Sequence, residues 1–348
     1  MQRVPGGGGR GGIIMPDVVA LGELLIDFAA EGAGEDGYPV LRAQPGGAPA
    51  NFLAALAKYG AKTALIGKVG ADAFGALLLD TLRRAGIETR GVVEDPEAFT
   101  TLAFVTLDGR GERTFSFARK PGADTLLRAG EVDFGLIGEA HCFHFGSLSL
   151  TDEPARAATR AAAACARAAA ACARAGGKLV TFDPNLRRPL WRDLAEARRQ
   201  MLWGMGQADV VKLSGEEGEF LFSAGPERTA RILLEEYGVA LAFVTLGPGG
   251  CYCATRRHSC TVPAPAGIRP VDTTGAGDIF GGAAVCRLLE LGKAPEALER
   301  EELADVARFA CAAAGLSTQR RGGIPSVPGR DEVEALLAGA RPSFVSSL

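Results

Sequence analysis

One stretch of the 348-residue chain concentrates groups able to activate a hydroxyl and hold an anion. It reads Asp272-Thr273-Thr274-Gly275-Ala276-Gly277-Asp278, followed by the apolar run IFGGAAVCRLLELG. A glycine-rich turn that opens a helix exposes backbone N–H groups, and the aligned peptide dipoles add about half a positive charge there. Such a turn receives phosphate oxygens or a developing anion, so Gly275, Ala276 and Gly277 are expected to line an anion hole. Asp278 stands at the helix start, where its carboxylate can take the proton of a hydroxyl that attacks a phosphoryl group. Alone, the same Asp would read as a helix cap after a tight turn. A second segment, Gly46-Gly47-Ala48-Pro49-Ala50-Asn51, weighs against that plainer reading. Its small residues let a ligand approach the backbone, and Asn51 offers both a donor and an acceptor to a polyol.

These groups need a scaffold, and the chain alternates short apolar runs with helical stretches, the pattern of βαβ units around a mostly parallel sheet. Candidate strands are Val18–Leu21, Thr63–Ile66, Cys142–Phe145, Leu179–Phe182, Val210–Leu213 and Leu241–Leu246. Each ends in a Gly or a polar cluster, and ligands of open α/β sheets bind beyond the carboxyl ends of the strands. Tyr38–Ala43 and Thr100–Phe117 break the pattern. They are rich in β-branched and aromatic residues, and Asp108-Gly109 reads as a hairpin turn, so they are expected to form a small β layer outside the main sheet, a lid. In Ala155–Arg174 the heptad AAAACAR occupies 161–167 and recurs at 168–174. Seven residues return a helix to within about 20° of its starting phase, so the duplication predicts a surface helix lengthened without turning its apolar face to water.

Composition removes several classes. Lys plus Arg number 38 against 41 Asp plus Glu, a net charge of −3 without the basic excess of a nucleic-acid binder. No run of about 18 uncharged apolar residues predicts a membrane span. The eight cysteines lie mostly inside apolar runs, as reduced core thiols of a cytoplasmic protein would. Cys251, Cys253, His258 and Cys260 have metal-like spacing, but Arg256 and Arg257 beside them would repel a cation, and a strand is the preferred reading. Gly32-Ala33-Gly34-Glu35-Asp36-Gly37 fits a dinucleotide-binding pattern yet precedes Tyr38-Pro39 rather than a helix, so its context fails. Residues 1–14 are glycine-rich, lack a signal-peptide core and are read as a disordered extension.

The Gly46–Asn51 and Asp272–Asp278 signatures together, about 225 residues apart, resemble the PfkB (ribokinase-like) family of sugar and nucleoside kinases. Val18 to Pro328 carries the resemblance, and within the family the chain looks most like a fructokinase. The supporting segments are Gly22-Glu23-Leu24-Leu25-Ile26-Asp27-Phe28, Phe115-Ser116-Phe117-Ala118-Arg119-Lys120-Pro121-Gly122-Ala123-Asp124, and FDPNLRRPLW at 182–191. The resemblance implies a three-layer α/β/α domain over 15–340 with a mostly parallel central sheet and lid segments near 36–45 and 98–120.

It also implies roles. Asp27, at the end of the first strand, would bind sugar hydroxyls, with Gly46, Gly47 and Asn51 lining the same pocket and Arg119 reaching in from the lid side. Asn185 and Arg187 would face the cleft near the transferred phosphate. Lys212, Thr245, Gly247, Gly250 and Gly277 would serve the nucleotide, and residues 309–315 would pack on adenine. Glu217 takes the place of the Glu that holds Mg²⁺ through water in an Asn-x-x-Glu motif, although Ser214 replaces the Asn. Asp272, Thr274 and the Gly323 carbonyl match a monovalent-cation site, with potassium the expected ion. The expected activity is ATP-dependent phosphorylation of D-fructose to fructose 6-phosphate, by a homodimer clasped through its lids. The rivals are a kinase for 2-keto-3-deoxygluconate, another sugar or a nucleoside, and a silent sugar-binding regulator on the same fold.

Overall fold

The computed structural model describes residues 15–107, 113–172 and 178–339. The N-terminal segment 1–14 and the turn at 108–111 lie outside the described residues. The first half of the chain runs β1 (Val18–Leu21), β2 (Leu25–Ala33), β3 (Pro39–Gly46), α1 (Ala48–Lys58), β4 (Thr63–Gly70), α2 (Ala73–Arg84), β5 (Ile87–Asp95), β6 (Leu102–Leu107), β7 (Arg113–Ala118), α3 (Phe134–Glu139), β8 (Cys142–Gly146) and α4 (Ala155–Cys172). The second runs β9 (Leu179–Asp183), α5 (Leu194–Met205), β10 (Val210–Ser214), α6 (Gly215–Phe222), α7 (Pro226–Glu236), β11 (Leu241–Thr245), β12 (Cys251–Ala254), β13 (Ser259–Val262), α8 (Ala276–Leu291), α9 (Arg300–Ser317) and α10 (Arg330–Gly339).

Nine strands form one sheet in the order β13-β12-β11-β10-β9-β8-β1-β4-β5. Neighbours from β5 to β11 are parallel, and β12 and β13 extend the far edge antiparallel. All four residues of β1, Val-Val-Ala-Leu, are buried, as a strand covered on both faces requires. Val18 and Ala20 face a core shared with α1, α8 and α9; Val19 and Leu21 face a second core shared with α3, α4, α5 and α7. Helices therefore cover both faces of the sheet, giving the expected three layers.

A separate four-stranded sheet, β3-β2-β6-β7, forms the lid. Phe28 of β2 stacks on Phe104 of β6 at 5.3 Å and meets Phe74 of α2 edge-on at 5.6 Å, which seats the lid on the body.

Two strands escape the sequence pattern. The second half of β2 (Ala29-Ala30-Glu31-Gly32-Ala33) lacks β-branched residues, and β5 is interrupted by Thr89-Arg90-Gly91. Asp27 consequently stands on β2, in the lid sheet, and not at the end of the first strand. The Gly32–Gly37 segment passes from the end of β2 into a turn and then β3, with no helix after it. Helix α4 runs for 18 residues against 6 in α3 and 12 in α5, in keeping with lengthening by the repeat, though Ala173 and Arg174 lie outside the described residues. Ala162, Ala163 and Ala166 of the first heptad are buried, while Ala169 and Ala170 of the second are half-buried, so the added turns keep the phase but run past the core.

Candidate active site

The turn before α8 is shaped by Asp272. Its Oδ1 accepts from Thr274 N (3.0 Å) and Thr274 Oγ1 (2.7 Å), and its Oδ2 accepts from Gly322 N (2.9 Å). Gly275 is the residue before the helix, with φ +75°, and a Cβ there would lie 3.0 Å from Gly323 Cα and 3.1 Å from Asn51 Nδ2. Both backbone angle and space thus demand glycine. The N–H groups of Gly277 and Asp278 have no intrahelical acceptor because they belong to the first turn. Ala276 departs from the expectation for the anion hole, since its N–H turns back to Thr273 O at 3.3 Å.

Asp278 is buried, and its carboxylate does not point into solvent. Oδ2 accepts from Asn51 Nδ2 at 2.9 Å and Oδ1 from Asn185 Nδ2 at 3.4 Å. Asn51 comes from the first turn of α1, which Gly47 starts at φ +115°, where a Cβ would strike Glu23 O. Asn185 adopts φ +46°, a left-handed conformation that Asn tolerates, and this aims its amide at the base. Burial pushes Asp278 above the usual carboxylate range, and the Lys212 ammonium, the Asn51 hydrogen bond and Arg187 pull it back.

Lys212, in the middle of β10, donates to Asp183 Oδ2 of β9 at 2.7 Å, an ion pair with 12% and 7% side-chain exposure. The same ammonium lies 2.8 Å from where a Cβ on Gly277 would stand, so it packs against the anion turn, and Gly277 leaves room for it. Asp183 Oδ1 is buried without a partner. Burial pushes Asp183 up to about 7, opposed by Lys212.

The Asp27 carboxylate makes no hydrogen bond among the described residues and lies close under Gly46, whose Cβ would be 2.5 Å from Asp27 Oδ2. Burial raises it to about 7, Arg187 lowers it, and the Asp278 and Asp272 charges raise it further, so these groups share one cleft. An acid with free oxygens facing that cleft suits a hydroxyl-bearing ligand. Arg187 itself donates to Leu186 O at 3.4 Å and otherwise leaves its guanidinium to the cleft.

One expectation needs correction. Arg119 does not enter the cleft: its guanidinium is spent on Asp124 Oδ2 (2.8 Å from Nε), Thr151 Oγ1 (2.9 Å) and Leu148 O (2.9 Å), with 2% side-chain exposure. The position directly after β7 carries it against Asp124 and the segment that follows β8. At the expected cation site the Gly323 carbonyl accepts from Ser326 N (3.0 Å) and Ser326 Oγ (2.7 Å), and the Asp272 carboxylate accepts from Thr274 N and Oγ1. The cysteine cluster is strand, as preferred from the sequence: Cys251 and Cys253 lie on β12, Cys260 on β13, and His258 faces Glu299 at 3.3 Å.

Glu217 is tied more tightly than its sequence position suggests. Oε2 accepts from Ser214 N at 2.8 Å and Oε1 from Leu186 N at 2.6 Å, while Ser214 Oγ accepts from Glu217 N at 3.2 Å. This is a capping box that also fastens the Asp183–Arg187 segment. Thr245 ends β11 and donates to Leu213 O (3.3 Å); Gly247 and Gly250 follow with φ +55° and +91°, and a Cβ on Gly250 would strike Val262 O. The sequence reading missed Glu23 and Asp183 as working groups. Glu23 is fully buried, accepts from Ala48 N at 2.9 Å and is raised by burial to about 7. The Gly-Glu and Phe-Asp-Pro-Asn strand ends were the signal for both.

Comparisons with known proteins show the family and the fold. The family described as pfkB family carbohydrate kinase matches residues 15–330. Fructokinase-1 of Zea mays is 42% identical over 327 residues, covering 93% of this chain and 98% of the relative. A probable fructokinase-4 of Arabidopsis thaliana is 40% identical over 326 residues, 92% of this chain and 97% of that one. Among solved structures, the fructokinase with bound ATP from Xylella fastidiosa superposes with a TM-score of 0.84 at 32% identity, covering 94% of this chain and all of that one (100%).

Proposed function

Because the chain belongs to the pfkB family of carbohydrate kinases, we propose that it transfers the γ-phosphate of ATP to the 6-hydroxyl of D-fructose. That it is an ATP-dependent carbohydrate kinase follows from the family and from its fructokinase relatives. One observation carries the mechanism: Asp278, a buried carboxylate, stands in the first turn of α8, beside the turn whose N–H groups can hold a transferring phosphoryl group.

In this reading Asp27 and Asn51 bind the sugar hydroxyls, with Gly46 and Gly47 giving the ring close access to the backbone. Asn51 and Asn185 fix the Asp278 carboxylate, which takes the proton as the alkoxide attacks in line. The N–H groups of Gly275, Gly277 and Asp278 face the charge that spreads over the phosphoryl oxygens, and Arg187 completes that positive surround. Lys212 supports the same turn from below, and Thr245, Gly247 and Gly250 carry the nucleotide.

Mg²⁺ would be held through water by Glu217, with the unpartnered Asp183 Oδ1 as a second acceptor; both are acidic oxygens at the strand ends, which suits a hard cation. When bound, the ion neutralises charge on the nucleotide phosphates. The lid would close over the sugar before transfer, because water left in the site competes as acceptor. Tyr38 and Val40, exposed on the lid at 73% and 44%, give an apolar face through which two copies would pair.

The arginine correction bears on substrate choice. A kinase for 2-keto-3-deoxygluconate needs a cation for the substrate carboxylate; Arg119 is fully engaged by Asp124, Thr151 and Leu148, which leaves that role to Lys120 or Arg187. What favours fructose is the likeness to fructokinases. A coupled assay of ADP formation over fructose, 2-keto-3-deoxygluconate, ribose and adenosine is expected to give the highest kcat/KM with fructose. A higher value for any of the others refutes the assignment of the sugar.

A further inference from the structure

We propose that Cys253 and Cys260 are a redox-modification site, closing to a reversible disulfide by exchange with a small anionic disulfide and thereby altering ATP affinity. The two residues are direct register partners on β12 and β13, the outermost antiparallel pair of the large sheet. Partners in such a ladder have Cα atoms about 4.5 or 5.5 Å apart, both within the span of a disulfide. Their Sγ atoms stand 3.3 Å apart. The ladder itself brings them together.

The two thiols divide the chemistry. Cys260 is partly exposed and Cys253 is buried. The hydrogen bond from Cys253, with Arg300 and Arg308 of α9 nearby, holds the Cys260 thiol down at about 7, and the same bond with burial pushes Cys253 upward. Cys260 is therefore the thiolate that attacks, and the two guanidinium groups suit an anionic disulfide such as oxidised glutathione. Attack by the Cys260 thiolate forms a Cys260 mixed disulfide and expels one glutathione thiolate. Cys253 then loses its proton to solvent and attacks the Cys260 sulfur, closing the protein disulfide and expelling the second. The protein dithiol loses two electrons and two protons, and the oxidant becomes two thiols.

Closure reaches the nucleotide side through the backbone. β13 ends at Val262, and the Gly250 α-carbon lies against Val262 O, Pro263 C and Ala264 N. Gly315 of α9, in the helix expected beside adenine, packs against Pro265 and Ile268 of the segment that follows. Fixing the hairpin restrains both. This effect on ATP rests on the kinase reading; formation of the bond does not.

The test is intact-mass and thiol-trapping analysis of the full reduced chain after excess oxidised glutathione, alongside ADP formation. The expected result is loss of two hydrogens, mapped to Cys253–Cys260 and reversed by dithiothreitol, with a change of about fivefold or more in KM for ATP. Cys260→Ser should abolish the bond with basal turnover unchanged, and Cys253→Ser should stop at the Cys260 mixed disulfide. Both sulfurs still free after oxidant overturns the site, and an unchanged KM in the crosslinked protein overturns its link to ATP. Should the reduced chain form no ADP with any sugar, the kinase reading fails, while the mass result still decides the disulfide.

Discussion

Asp278→Asn is expected to lower turnover with fructose by about 10² to 10⁴ while sugar affinity changes little, the range of general-base contributions. Asn keeps the shape and can still bond to Asn51 after an amide rotation, so the helix start should persist. What disappears is the only acid hydrogen-bonded to both Asn51 and Asn185 in the described site. The residual rate would come from the anion turn and from holding the two substrates together. Steady-state kinetics and isothermal titration with fructose check both halves. Normal turnover in this variant means that another group takes the proton.

Lys212→Met is expected to cost about 3 to 5 kcal/mol of stability, because it strands the Asp183 charge in the interior. The pair is almost closed to solvent, with Asp183 7% exposed, so water cannot take the place of the ammonium. The loss should depend on pH. Burial already raises Asp183 from 3.8 to about 7 in the presence of Lys212, and removing the cation raises it further. A carboxyl raised on folding stabilises the fold only while it holds its proton. Its contribution is complete below the unfolded value of 3.8 and is lost as pH climbs through the folded value. In the wild-type chain that loss levels off near pH 7, where Asp183 ionises against Lys212, whereas in the variant it continues to higher pH, so the deficit should be flat below about 7 and grow above it. Urea unfolding on the acid and alkaline sides of neutrality measures it, and a second change, Asp183→Asn, should recover much of the loss. A deficit independent of pH, or one that the double variant keeps, would show that the charge pair is not its source.

The sequence made the parallel strands legible because a strand buried on both faces is mostly apolar, as β1 is throughout and β8 is apart from His144. The lid was half visible. β3, β6 and β7 carry β-branched and aromatic residues, whereas β2 leaves the body as an apolar strand and continues as Ala, Glu and Gly, without a period that marks it. In the site, Asp278, Gly275 and Asn51 could be named because a glycine turn before a helix has chemistry written in its residue types. Arg119 misled for the opposite reason. An arginine after a lid strand has the same letter whether it meets a sugar or an internal Asp124, and only the packing of Thr151 and Leu148 decides. Likewise, the Lys212–Asp183 pair joins residues 29 positions apart on adjacent strands, a relation set by sheet order rather than by any local motif.

The central claim is that a sugar hydroxyl, activated by Asp278, attacks ATP within the closed cleft. Product analysis with ATP and fructose tests it most directly, by following ADP release and the position of the phosphate in the sugar product together. The account predicts one ADP per fructose 6-phosphate and very little ADP without sugar. ADP released equally with and without fructose, or a phosphate on a different hydroxyl, contradicts it.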